Sequence, residues 1–380
     1  MIPYGRQNIS QTDIDAVVDV LNSENLTQGP AVPAFEAVVA SRVGAAHAVA
    51  VNSATSALHI ACLALGLGKG DRLWTVPNTF VASANCGRYC GGIVDFVDID
   101  PDSLNISISS LQDKLVGAKK QGQLPKILVP VHFAGRPSES KAIAELAREY
   151  GFRVLEDASH AIGATYHGEP VGSCRWADIA VFSFHPVKII TTGEGGMALT
   201  NDANLAERMR RLRSHGIVRD EAIQEREGPW YYEQTELGFN YRMTDIQAAL
   251  GTSQMSRLDA FISARRKLAD RYNGLLADLP LRVPGHEAES ASAWHLYVVC
   301  LHEASRRREV FQRLRHAGIG VNVHYIPVHL QPYYRRLGFG HGYCPVAEDY
   351  YARAITLPLH PAMSEADQDY VVSALRESLA

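Results

Sequence analysis

The stretch Ile179-Ala-Val-Phe-Ser-Phe184-His-Pro-Val-Lys188-Ile-Ile-Thr-Thr-Gly193-Glu-Gly195-Gly196 runs from an apolar strand, past one lysine, into a glycine-rich turn. A lysine at the end of a buried strand is costly, because burial disfavours the ammonium and lowers its pKa. A lowered pKa makes the neutral amine available, which Schiff-base formation with an aldehyde requires. The plainer reading is a strand-end lysine that points to solvent. Three upstream segments decide against it.

The first is Val154-Leu-Glu156-Asp157-Ala-Ser-His160-Ala-Ile-Gly163, an apolar strand running into an acidic pair. Strand-end acids in a parallel α/β sheet sit at the carboxyl edge, where such folds bind ligands. A pyridoxal phosphate enzyme needs a carboxylate against the pyridine nitrogen, so that the ring acts as an electron sink. Asp157 is the candidate, because Glu156 points to the other side of the strand. His160, one turn on, is placed to touch the cofactor's phenolic oxygen or its face; a core histidine is the plainer alternative.

The second, Asn52-Ser-Ala54-Thr55-Ser-Ala-Leu-His59, follows a strand and opens an apolar helix. Small hydroxyl residues there are good caps. The same geometry is an anion site, with free backbone N–H groups and a favourable dipole. Ala54, Thr55 and Ser183 are therefore expected at a phosphate. The third, Pro77-Asn-Thr-Phe80-Val-Ala-Ser-Ala-Asn85, offers Phe80 as a plate to stack on a pyridine ring.

Together these segments resemble the DegT/DnrJ/EryC1/StrS sugar aminotransferases over nearly the whole chain. Further matching pieces are Leu26-Thr-Gln-Gly-Pro30, Pro130-Val-His-Phe-Ala-Gly135, Gly238-Phe-Asn240-Tyr-Arg242-Met and Val321-Asn-Val-His324-Tyr325-Ile-Pro-Val-His329-Leu-Gln. The resemblance implies the aspartate-aminotransferase-like fold, type I. That is an α/β architecture with a large domain (1–250) built on a mostly parallel seven-stranded sheet, and a smaller α+β C-terminal domain (251–380). It implies pyridoxal 5'-phosphate as cofactor, with pyridoxamine 5'-phosphate as its intermediate form. Carried over residue by residue, Lys188 matches the Schiff-base lysine, Asp157 the pyridinium partner, Ala54, Thr55 and Ser183 the phosphate site, and Phe80 the stacked aromatic. Asn240 matches a residue that reaches the neighbouring subunit's cofactor, so a homodimer with shared sites is expected. His160 stands where many members have glutamine and several have histidine. Pieces such as Gly228-Pro-Trp230-Tyr-Tyr-Glu-Gln resemble the branch that aminates C4 of a UDP-linked 4-keto-6-deoxy-N-acetylhexosamine, with L-glutamate as donor. Tyr4, Arg242, His324, Tyr325 and His329 are the candidate contacts to that sugar nucleotide. Another nucleotide-linked 4-keto sugar is the alternative substrate. Dehydratase relatives on this scaffold replace the lysine with histidine, so Lys188 argues against that chemistry.

Composition sets bounds. A chain of 380 residues is long for one domain, and 46% hydrophobic residues suffice for a sizeable core. A net charge of −4 argues against non-specific nucleic-acid binding. The start lacks a charged head followed by an apolar run, and no stretch is long enough to span a bilayer, so a cytoplasmic, non-membrane protein is expected. The six cysteines are scattered, with only Cys86 and Cys90 close, which reads as reduced thiols and no metal site.

Strands are expected at 47–51, 73–76, 93–97, 126–131, 153–155, 179–184 and 196–199, with helices between them, among them one over 139–150. Gly66-Leu-Gly68-Lys-Gly70 precedes a strand instead of following one, so it is a turn and not a dinucleotide fingerprint. A single linker helix is expected from 244 to about 279, then a strand over 294–301, a helix over 306–317, a strand over 318–323 and a helix over 367–379. The charged, aromatic segment 220–236 is expected to be a mobile loop.

Overall fold

A computed structural model gives the fold and describes residues 1–285 and 289–380. Seven strands form its main sheet: β1 His47–Val51, β2 Arg72–Thr75, β3 Ile93–Phe96, β4 Ile127–Val129, β5 Arg153–Asp157, β6 Ile179–Ser183 and β7 Gly196–Thr200. Their order is β1-β7-β6-β5-β4-β2-β3. All pairs are parallel except those made by β7, which runs antiparallel to both β1 and β6.

Alternation along the strands explains why both faces are covered. Val49 and Val51 of β1 enter one apolar core, together with Val181 and Ala198. Their neighbours Ala48 and Ala50 enter a second core on the opposite face, with Ala180, Phe182 and Met197. A strand buried on both faces reads as a continuous apolar run, as β6 does.

The parallel strands bring their carboxyl ends to one edge, where open α/β sheets bind ligands. Because β7 is reversed, its first residue lies at that same edge. Val51, Gly196 and Ser183 consequently form one cross-strand row. Gly196 is required there: a Cβ would meet the Ala54 nitrogen at 2.5 Å, so only glycine lets the next helix seat so close.

The C-terminal part carries a three-stranded antiparallel sheet of β8 Leu281–Arg282, β9 Tyr297–Leu301 and β10 Ala354–Leu357, in the order β8-β9-β10. A third core gathers there. The helix Leu258–Leu275 joins the two parts: Leu258, Phe261 and Ile262 pack in the second core, Leu268 and Tyr272 in the third.

Three expectations require correction. The single helix over 244–279 is two helices, Asp245–Met255 and Leu258–Leu275. At the break, the Ser256 and Arg257 amides donate back three residues instead of four, and the Arg257 guanidinium is drawn to Asn8 and Asp13. Residues 318–323 make no strand of their own. Gly320 presses on the N-terminal segment, donating to the Ile2 carbonyl at 2.6 Å, and only isolated bridges form, Ile2 to Ile319 and Asn322 to Thr356. The segment 220–236, expected as a loop, contains regular structure. Asp220 caps a helix, Glu221–Glu227, and Ile217–Val218 pairs with Glu233–Gln234. Among the described residues no helix is long and apolar enough to cross a membrane.

Candidate active site

At the carboxyl edge lies a cavity of about 910 Å³. Tyr4, Ala54, Thr55, Phe80, Asp157, His160, Ser183, Lys188, His324 and Tyr325 line it, so the structure brings together ten of the residues singled out from the sequence.

The helix Ala54–Ala64 follows β1 directly and points its N-terminus into the cavity. The Ser53 hydroxyl caps it by accepting from the Ser56 amide at 3.2 Å. Among the described residues the Ala54 and Thr55 amides have no acceptor, as expected of a first helical turn. Such a terminus favours a phosphate.

Asp157 ends β5 and is 5% exposed. Its Oδ2 accepts from the Ser83 hydroxyl at 2.6 Å, and Thr79 in turn stands 2.7 Å from that hydroxyl. Its Oδ1 accepts from the Ser159 amide at 3.1 Å. Glu156 faces the other way, accepting from Ser140 at 2.6 Å near His132. Burial pushes the Glu156 carboxyl up, but the charge and hydrogen bond of His132 outweigh it and leave the group lowered.

Lys188 sits in the turn after β6, its amide donating to the His185 carbonyl at 2.9 Å. Burial draws its amine down to about 8, against an opposing pull from the Asp157 charge. Three imidazoles share its surroundings. Burial and the Lys188 charge lower His160 and His295 well below the usual histidine range, and lower His324 to about 3. Neutral at working pH, the three imidazoles add no charge beside Lys188. His324 is held by Thr356, Nδ1 to Oγ1 at 2.8 Å. Phe80 stands over the cavity, 58% exposed.

Asn240 and Arg242 do not line this cavity; Asn240 is exposed and forms a backbone bridge to Ser214. His329, expected at the sugar, also lies outside it. It is fully buried beneath Phe96, its Nε2 bonded to Glu348 at 2.9 Å. Sequence reasoning missed His295, whose ring lies 4.5 Å from that of His160 and whose Nδ1 is buried without a partner among the described residues. A histidine opening the apolar run Leu296 to Leu301 was the available signal. It also missed Ser83, although the quoted segment containing Phe80 carries it.

The residues present fit a pyridoxal-type cofactor: a helix N-terminus with free amides, a buried carboxylate held by two donors, and an amine of lowered basicity, all lining one cavity. Fold and site together define a pyridoxal phosphate-dependent transferase of the aspartate-aminotransferase type. The chain belongs to the DegT/DnrJ/EryC1/StrS aminotransferase family, whose profile matches residues 7–376. It is 40% identical to the spore coat polysaccharide biosynthesis protein SpsC of Bacillus subtilis, covering 99% of this chain and 96% of that one. It is 38% identical to a UDP-4-amino-4,6-dideoxy-N-acetyl-beta-L-altrosamine transaminase of Campylobacter jejuni, with 99% and 96% covered. Its fold matches the Helicobacter pylori PseC aminotransferase, involved in pseudoaminic acid biosynthesis, with a TM-score of 0.91 at 30% identity, over 100% and 99% of the chains. It matches the PMP-form of a putative sugar aminotransferase, Spr1654, of Streptococcus pneumoniae at 0.92, with 29% identity and the same coverage.

Proposed function

We propose that the chain transfers an amino group from L-glutamate to C4 of a UDP-linked 4-keto-6-deoxy-N-acetylhexosamine, a step of pseudaminic-acid synthesis. The observation that carries the transfer is Lys188, an amine drawn down to about 8 inside the cavity and facing Asp157. Support for the sugar comes from the altrosamine transaminase at 38% identity. The spore-coat relative stands at 40%, so overall identity does not choose between them. The choice rests on the matching pieces around Ala54, Lys188, Trp230 and His324.

When bound, the cofactor supplies an aldehyde carbon that captures amino groups and a ring that withdraws electrons. The Ala54 and Thr55 amides and the Ser183 hydroxyl would hold its phosphate, Asp157 its ring nitrogen, and Phe80 one face. Lys188 Nζ would take the proton from the donor's α-carbon as a general base and give it back as a general acid. For the acceptor sugar it works in reverse. Ser83 and the Ser159 amide hold the Asp157 carboxylate in place through this cycle.

A sugar nucleotide brings a diphosphate. Among the described residues lining the cavity, Lys188 is the only lysine or arginine, and it is committed to the transfer. This supports a homodimer in which the partner copy supplies cations, with Arg242 and Asn240 outside their own cavity and free to serve the other.

The test is a turnover assay with L-glutamate and the altro-type UDP-linked 4-keto sugar beside its gluco-type epimer, read by mass spectrometry. Preference for the altro-type ketone supports the proposal. Preference for the epimer moves the pathway, and turnover of neither sugar despite bleaching by glutamate overturns the substrate.

A further inference from the structure

We infer that Cys90 and Cys62 are a redox-reactive thiol pair: Cys90 is a modification site for low-molecular-weight disulfides, and Cys62 resolves the adduct into an intramolecular disulfide. Both lie outside the catalytic cavity and take no part in amino transfer.

Two helices bring the sulfurs together. Ala54–Ala64 carries His59 and, one turn later on the same face, Cys62. Ala82–Tyr89 carries Cys86 in its last turn and ends on Cys90 as its C-cap. The helices pack on each other, and the His59 and Tyr89 rings meet at 5.4 Å. The Cys62 thiol is within hydrogen-bonding reach of both Cys86 and Cys90, and His59 reaches Cys90 as well. Among the described residues no group of histidines, cysteines and carboxylates is arranged to hold a metal ion. The chemistry left to this cluster is that of sulfur.

The three sulfurs differ in what they can do. Cys86 is fully buried and spends its hydrogen on the Ser83 carbonyl at 3.2 Å. Cys62 is fully buried too; burial and its sulfur neighbours raise its thiol, so it stays protonated and donates to Cys90. That hydrogen bond, with the further bond and charge of His59, outweighs burial and holds the Cys90 thiol below its ordinary value. Cys90 is also the one cysteine of the six that is not fully buried. A small reagent therefore meets a thiolate at Cys90 and finds the other two shut away.

The exchange balances. The Cys90 thiolate attacks one sulfur of the small disulfide, that S–S bond breaks, and one small thiolate leaves and takes a proton from water. The charge on Cys90 is then gone, and with it one of the influences that kept Cys62 protonated. The Cys62 sulfur attacks Cys90, the mixed disulfide breaks, and the second small thiolate departs with the Cys62 proton. Two protein thiols are oxidised, and one small disulfide is reduced to two thiols. The new bond ties together two helices whose other ends serve the cavity. Ala54 and Thr55 open one of them, and Ser83, the donor to Asp157, lies in the first turn of the other.

The test incubates the cofactor-loaded protein with glutathione disulfide, digests it without reduction and reads the cysteine peptides by mass spectrometry. The expected result is loss of the free thiols at both positions and a peptide pair linked through Cys62 and Cys90, restored by dithiothreitol. Cys90→Ser is expected to leave Cys62 and Cys86 unreacted, with the cofactor's visible band intact. Cys62→Ala is expected to stop at a stable glutathione adduct on Cys90; the wild-type and Cys90→Ser results decide the matter even if this buried variant does not fold. An unreacted Cys90 in wild-type protein overturns the inference. So does a wild-type adduct on Cys90 that never resolves, or a bond from Cys90 to Cys86 in place of Cys62.

Discussion

The two walls of the cavity are built by different means. On the sheet side, chemistry hangs from strand ends: Ala54 and Thr55 after β1, Asp157 on β5, Ser183 and Lys188 at and after β6. Each position follows from a strand a few residues away, whose backbone bonds fix the edge. On the other side, His295, Asn322, His324 and Tyr325 come from segments outside regular strands and helices. They are held by contacts to distant residues, such as Thr356 on His324 and Asn78 on Tyr325. The first wall is local in sequence and the second is a product of tertiary packing, so substitutions should separate them.

The largest effect is expected from Lys188→Met on the sheet wall. Turnover should fall at least about a thousandfold, because proton transfer and bond formation are lost together. The linkage has a definite sign. Folding lowers the amine from its ordinary 10.5 to about 8, so the folded state disfavours the charged form. The cost to the cofactor-free protein is full below about pH 8 and disappears as pH approaches the unfolded value. At pH 7 it is at most about 3 kcal/mol, by 1.36 kcal/mol per pKa unit. Cofactor-free Lys188→Met should therefore melt higher than cofactor-free wild type at pH 7, with the gap closing as pH rises above 8. Substantial residual transamination, or a lower melting point at pH 7, would mean the lysine is neither the reacting group nor buried against its charge.

Asp157→Ala should come next. It removes the charge facing the ring nitrogen and strands the Ser83 hydroxyl, which now donates to Oδ2 at 2.6 Å. Cofactor should wash out on gel filtration, and bleaching by glutamate should slow by about a hundredfold, a loss of about 2.7 kcal/mol of barrier lowering. An enzyme unchanged in both respects would shift the burden from the sheet wall to Tyr325 and His160.

The same contrast explains what could be read in the sequence. All seven strands of the main sheet were legible to within a few residues, because each is an apolar run bounded by turn residues, and the residues that follow β1, β5 and β6 carry their chemistry in plain view. The helix break at Ser256 was not legible. The apolar pattern continues through it, and only the pull of Asn8 and Asp13 on Arg257, more than 240 residues away along the chain, accompanies the tight turn. Residues 318–323 have strand-like composition, yet they pack against the N-terminal segment, and Gly320 fits against Ile2 where a side chain would not. The histidines show the limit most sharply. His324 and His329 are five apart in one segment, equally polar, and indistinguishable by pattern. One enters the cavity and the other does not.

His329 therefore gives the smallest effect and a clean way to sharpen the comparison. Its ring is fully buried, with Nε2 on the Glu348 carboxylate at 2.9 Å, and the same carboxylate accepts the Gly342 amide. Burial lowers its pKa against the raising influence of Glu348, so it acts mainly as a neutral donor tying the turn at 328–330 to the helix Pro345–Arg353. His329→Leu keeps the volume apolar and leaves Glu348 short of one donor, a loss of about 1–3 kcal/mol of stability. The expected readout is a lower melting temperature with the KM for sugar nucleotide and the cofactor's visible band unchanged. His324→Leu, made in parallel, should disturb the KM, because that ring faces Tyr4 and lines the cavity. If instead His329→Leu raised the KM while leaving the melting temperature intact, the sugar would reach beyond the cavity to the turn, and the second wall would extend one segment further than its contacts indicate.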